Sequence, residues 1–197
     1  AASENERGGR VRGDGGGRGS RVAGGAAAAA RGDAGRPDGA GGAYLGGYAA
    51  GTLPGDAGAG DKDAALVRVD GAGEVAWTAQ VGGAGEDKAY AVALTQDGTV
   101  VVAGSTTGTM PGGTASGGLD AWIAGYSADG QRQWLRQPGS SEGDQIPALV
   151  APDDGVAAAG YVVGTLPGPP SAGAVHAVAT APSPPHTSPP PGRPGFP

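Results

Sequence analysis

The five residues "GTLPG" at 51–55 return as "GTMPG" at 108–112. The same offset relates three further pairs, Asp63 and Asp120, Trp77 and Trp134, and Asp87 and Asp144. A third copy, "GTLPG" at 164–168, arrives one position early, and one deletion between Gly155 and Gly160 accounts for the difference. Separate anchors with one offset mark an internal duplication, with a period of about 57. Such a chain folds as like units, each covering its apolar faces against its neighbours. The units are read as 43–87, 88–144 and a truncated 145–178, within a repeat region of 41–178.

Each unit reads as four short strands. In the second they are "AYAVALT" (89–95), "TVVVAGS" (99–105), "AWIAGYS" (121–127) and "QRQWLRQ" (131–137). "QDG" and "ADG" stand between partner strands and suit tight hairpins, because Asp-Gly accepts positive φ. "VVVAG" is apolar without alternation, as in a strand covered on both faces. "QRQWLRQ" is polar around Trp134, as in an outer edge strand guarded by charge. The "GTMPG" segment falls in the longer link between the second and third strands, where Gly and Pro steer the chain.

The fold class expected is therefore all-β, with about two four-stranded antiparallel blades of an incomplete β-propeller and disordered flanks. Residues 1–40 are Arg, Gly and Ala with little else apolar, and residues 179–197 are Pro-rich; both are expected to be disordered. The 43 glycines and 17 prolines fit a turn-dense chain. There is no cysteine, so neither a disulfide framework nor a thiolate metal site is available. A formal charge of −6 argues against nucleic acid as a partner. No apolar run reaches the roughly 20 residues that span a bilayer.

The stretch "DKAYAVALTQDGTVVVAGSTTGTMPG", followed by "DAWIAGYSADGQRQWLRQPGSSEGD", resembles the bacterial SBBP-type β-propeller repeat. The resemblance covers roughly residues 43–178 and rests on a small-residue strand, an Asp-Gly turn, a Val-rich strand ending in Gly, a Gly/Pro link, Asp-Ala and a Trp strand. The related delta-60 repeat shares "DGxVVVAG". Quinoprotein blades share a spacing like that from Asp70 to Trp77. The family implies a propeller in secreted or surface-anchored bacterial proteins, without a shared catalytic residue.

The chain departs from the repeat at both ends. A strand and an Asp-Gly turn are expected before "AYLGGYAAG", and a Trp strand after "AVHAVATA". The expectation is a gene fragment, with its Arg/Gly/Ala and Pro-rich ends either read out of frame or genuine linkers.

The candidate residues each have a bland and a functional reading. Asp63, Asp120, Asp87 and Asp144 are expected to accept backbone N–H bonds in their turns; calcium binding is the alternative, without the alternating acidic pattern of a calcium loop. Trp77 and Trp134 are expected to pack between blades, with sugar stacking as the alternative. Trp122 stands where the first unit has Ala65, outside the repeat rule; it is expected to pack, with a local contact as the alternative. His176 and His186 have no ligand cluster around them. "RGD" at 12–14 and 31–33 is expected by chance in so Arg- and Gly-rich a segment, with adhesion as the alternative. "PSPPHTSPPP" is expected to be a solvated linker, with polyproline II docking as the alternative. No catalytic, cofactor-binding or metal-ligating residue is expected, no cofactor is called for, and ligand-binding residues are not marked.

The function expected is a non-enzymatic structural or interaction module of a secreted or cell-surface protein. Its partner would be a protein or glycan, further blades, or a second copy. The competing reading is part of a propeller enzyme, quinone-dependent or acting on polysaccharide, whose polar groups converge on a central channel.

Overall fold

The structure, a computed structural model, describes residues 10–13, 20–23, 29–53, 56, 58–153, 155–164 and 175–179. Thirteen strands are present among them and no helix: β1 (Arg10–Gly13), β2 (Ser20–Ala23), β3 (Ala29–Pro37), β4 (Ala43–Ala50), β5 (Asp63–Val69), β6 (Val75–Val81), β7 (Asp87–Leu94), β8 (Val100–Thr106), β9 (Asp120–Tyr126), β10 (Arg132–Arg136), β11 (Asp144–Val150), β12 (Ala157–Val162) and β13 (Val175–Ala179). They form three antiparallel sheets in the orders β1-β2-β3-β4-β5-β6, β10-β9-β8-β7 and β11-β12-β13. The four strands of the second sheet begin and end within two residues of the segments expected from the sequence.

Alternate residues of the second sheet supply two cores. Val100, Val102, Trp122, Ala124 and Tyr126 meet Tyr44, Ala64, Leu66, Ala79 and Val81 of the first sheet. Val101, Ala103, Ala121 and Ile123 meet Ile146 and Ala158 of the third. This is why β8 is apolar along most of its length and buried at every position. β10, none of whose residues is fully buried, lies at the sheet edge as its charges require.

The hairpin turns repeat with the sequence. Thr95 N donates to Thr99 O and Ser127 N to Gln131 O in the second unit. At the equivalent positions of the first unit Asp38 N donates to Gly42 O and Asp70 N to Glu74 O. Gly41 and Gly98, also equivalent in the repeat, take the left-handed φ of 91° and 85° that these turns demand.

One boundary differs from expectation. Residues 1–40 were expected to be a disordered flank, yet β3 pairs with β4 along its whole length, from Ala29↔Ala50 to Pro37↔Ala43. It occupies the place in the first sheet that β7 occupies in the second, and "PDG" at 37–39 opens the turn the repeat requires. Strands β1 and β2 continue the same sheet outward. The physical reason is that such a strand is held by main-chain hydrogen bonds to its neighbour, which Ala, Gly and Arg can make without apolar periodicity. The Pro-rich tail, residues 180–197, lies outside the described residues.

A second regularity concerns "VVVAG" and its counterpart in β12. A bulge in β7 between Ala89 and Ala91 pushes the Lys88 carbonyl onto Gly104, where any Cβ would overlap it. The Gln145 carbonyl does the same to Gly160. Glycine recurs at this point of both strands because a main-chain oxygen fills the space of a side chain.

Candidate functional site

The repeated pentapeptide is anchored by a glutamine that sequence reasoning missed. Gln137 Nε2 donates to Gly108 O at 2.9 Å and to Asp120 Oδ2 at 2.8 Å, while its Oε1 accepts from Met110 N at 2.9 Å. Gln80, its counterpart in the first unit, does the same. It donates to Gly51 O at 2.8 Å and Asp63 Oδ2 at 2.6 Å and accepts from Leu53 N at 2.7 Å. Leu53 and Met110, the central residues of the two pentapeptides, are buried. "GTxPG" is therefore a loop pinned through its backbone, with its apolar centre pressed into the core. The signal for Gln80 and Gln137 was present in their shared offset. All of the third copy but Gly164 lies outside the described residues.

The four aspartates expected to cap turns do so. Asp63 Oδ2 accepts from Ala59 N at 3.0 Å, and Asp120 Oδ2 from Ser116 N at 2.8 Å. Asp87 Oδ2 accepts from Gly83 N at 2.9 Å, and Asp144 Oδ2 from Ser140 N at 2.6 Å. All four are buried. Asp87 and Asp144 open the first strands of the second and third sheets, and Asp63 and Asp120 open β5 and β9 beside those junctions. Asp87 N donates to Lys62 O at 2.6 Å and Asp144 N to Leu119 O at 2.8 Å, in isolated parallel bridges between Lys62 and Glu86 and between Leu119 and Gly143.

The junctions differ in how the carboxylates are satisfied. Asp120 Oδ1 also accepts from Gly117 N at 3.1 Å, and both oxygens of Asp144 accept from the Ser140 hydroxyl. At the first junction Asp63 Oδ1 and Asp87 Oδ1 are buried without a hydrogen-bond partner. Burial raises the Asp87 carboxyl above its ordinary range, with the Asp63 charge adding to the rise and the Thr106 hydroxyl and Gly83 N–H opposing it.

Beside that junction lies an ionic group with no counterpart in the next unit. Glu86 takes both Lys62 and Lys88, the latter at 2.7 Å, and both ammonium groups stand 5.9 Å from the centre of the Tyr48 ring. The two lysines hold the Glu86 carboxyl down at about 2. The repeat counterparts of Lys62, Glu86 and Lys88 are Leu119, Gly143 and Gln145, so this group is particular to one junction. It is partly exposed, and its pairs stabilise modestly.

Trp77 bridges the first and second sheets. Its Nε1 donates to Ala128 O at 3.0 Å, its ring lies 5.9 Å from that of Tyr44, and Gly130 packs against it. Trp134 packs on the core between the second and third sheets and lies across Gly125 on the neighbouring strand. Trp122 is wholly buried, with Nε1 donating to Ser105 O at 3.1 Å and Lys88 O at 3.2 Å. The three rings are thus used in packing. His176 lies on β13 opposite Gly160, and His186 lies outside the described residues. Of the two "RGD" copies, 31–33 falls within β3, and Asp14 of the other lies outside the described residues. Among the described residues no three His, Cys, Asp or Glu side chains converge as a metal site would require. No helix among them is long and apolar enough to cross a membrane.

No protein-family model matches the chain. Over 105 residues it is 28% identical to the regulatory protein FlaEY of Caulobacter vibrioides, an alignment that takes in 49% of this chain and 11% of the relative. The chain thus spans about a tenth of the length of the curated relative it matches.

Proposed function

We propose that this chain is a non-enzymatic structural and interaction module made of consecutive β-propeller blades, from a secreted or cell-surface bacterial protein. One observation carries the reading: the sheet-to-sheet junction is reproduced at the repeat offset, down to the Asp87 N–Lys62 O and Asp144 N–Leu119 O hydrogen bonds. A junction repeated with constant geometry turns each sheet on the last by a constant step, which is how blades are set around an axis. The polar groups of the junctions favour a non-enzymatic role, since half-buried Gln80 and Gln137 and buried Asp120 and Asp144 are spent on main-chain and hydroxyl partners that hold loops. The exported location comes from the resemblance to surface-protein repeats. The partner class that follows is a protein or glycan.

An experimental structure of the protein tests this. The expected result is β3, β7 and β11 side by side around one axis. Sheets stacked in a straight sandwich without a common axis would overturn the blade reading. Turnover of a quinone-linked or polysaccharide substrate, lost on changing buried carboxylates, would overturn the non-enzymatic part.

A further inference from the structure

The second and third sheets present the same face to different surroundings. In the second, the pairs Ala91↔Ala103 and Ala93↔Val101 share one face, and all four residues are buried. The third sheet covers that face, with Ile146 and Ala158 in the core between them. The repeat puts Ala148↔Ala159 and Val150↔Ala157 at the same points of the third sheet. None of these four is buried. Val150 is 62% exposed, and Tyr161, two residues beyond Ala159 and so on the same face, is 38% exposed. With Val163, just past β12, they are the large apolar side chains left exposed among the described residues. Large apolar groups gathered on one face of one sheet mark a contact surface, where scattered ones would not.

Three features fit a second copy of this chain to that surface. Its covered counterpart on the second sheet receives a β-sheet of the same repeat, so the face has the shape to take one. Its bulk is arranged to complement itself. Val150 stands at one end and Tyr161 at the other, with Ala148 and Ala159 between them. A two-fold axis through the alanines sets Val150 of each copy beside Tyr161 of the other, and the small residues let the two sheets approach. The face is also uncharged. β11, β12 and β13 hold no Lys or Arg and a single acid, Asp144, which is buried. Two copies therefore meet there without opposing like charges, although the chain carries a formal −6.

We propose that the exposed face of the third sheet is a homodimer interface, on which two copies of the chain pack face to face about a two-fold axis. This names a partner for the interaction module proposed above, but it rests on the repeat equivalence of the sheets and not on their setting around an axis. A face of three short strands lies at the small end of protein interfaces, so the dimer is a weak one, with a Kd on the order of 10–100 µM.

The test is sedimentation equilibrium of the full chain from about 1 to 500 µM, a range that brackets that Kd. The mass is expected to pass from one chain to two. Val150→Lys and Tyr161→Lys should each raise the Kd on the order of tenfold or more, because each sets a charge against its own copy across an apolar contact. Both positions are exposed in the single chain, so the melting temperature measured at low concentration should stay the same. Gln133→Lys, which adds the same charge on exposed β10, should leave the Kd unchanged. Should the lysine variants fail to fold, Ala159→Cys decides. The chain has no cysteine of its own, and a short bis-maleimide is expected to join two copies through that position but not through Gln133→Cys. An unmodified chain that stays a monomer throughout would overturn the interface, as would association that neither lysine weakens. Either result would leave the blade reading standing, since that turns on the axis common to the sheets. Growth past two chains into larger assemblies would overturn the two-fold arrangement.

Discussion

At the first junction Asp63 Oδ1 and Asp87 Oδ1 have no hydrogen-bond partner and Asp87 has the Thr106 hydroxyl beside it, whereas at the second Asp120 Oδ1 takes the Gly117 N–H and Asp144 the Ser140 hydroxyl. The main-chain bonds around them are the same. Duplication has preserved the backbone plan, and residue exchanges decide only part of how its buried charges are met, since Gly60 stands where the second unit has the donor Gly117. The decisive exchange is Gly83 for Ser140. Serine is not free to enter at 83, because a Cβ there would overlap the Thr109 carbonyl. What the first junction lacks in buried donors it partly offsets at its rim, where Lys62, Glu86, Lys88 and Tyr48 form a group that the second junction does not have.

The largest effect expected from probing this comparison is at Trp122, which has no counterpart in the first sheet. Trp122→Ala should cost about 4 kcal/mol, since it empties a wholly buried site and strands the Ser105 and Lys88 carbonyls. Denaturant unfolding measures it, and a cost under about 1 kcal/mol would mean the ring is not the centre of the core between the first two sheets. Next come Gln80→Ala and Gln137→Ala. Each should cost about 2 kcal/mol by removing three hydrogen bonds, two to the pentapeptide backbone and one to a buried carboxylate. The two costs, read from the same unfolding curves, should agree closely, and a wide difference would break the equivalence of the units.

Ser140→Gly would make the second junction resemble the first. The expected cost is about 1 kcal/mol, the value of a hydroxyl that serves both Asp144 and Glu142 N. No loss of stability on urea unfolding would show that the hydroxyl is dispensable. The smallest effect is with pH. Asp87 has a raised folded pKa, so its protonation favours the fold and stability should rise as pH falls through that pKa toward 3.8. Glu86 has a lowered one, so the stability it contributes is lost as pH falls from 4.5 through about 2. A urea-midpoint profile should therefore climb slightly and then fall. Asp87→Asn should remove the climb; if Asp56→Asn removes it instead, the burial of Asp56 is its cause.

Much of the second sheet was legible in the chain, for a local reason. Val100, Val101 and Val102, the Asp-Gly turns and the charged run around Trp134 carry strand, hairpin and edge signals within a few residues. The four aspartates were legible as turn caps because a donor of each lies four residues earlier. β3 was not, because it is held by β4 and its own residue types say little. Gln80 and Gln137 were not, because their partners are as far as 29 residues away and glutamine carries no local signature.

The sequence by itself determined the duplication, the strand pattern of each unit and the places where the chain must turn, since all three follow from short-range periodicity and backbone preference. Only the tertiary structure decided which oxygen of which carboxylate would go without a donor. It also decided that glycine at 82 and 104 makes room for another group's oxygen. Those outcomes depend on distances of a few tenths of an ångström between segments remote in the chain. Residue order constrains such distances only through the packing of whole sheets.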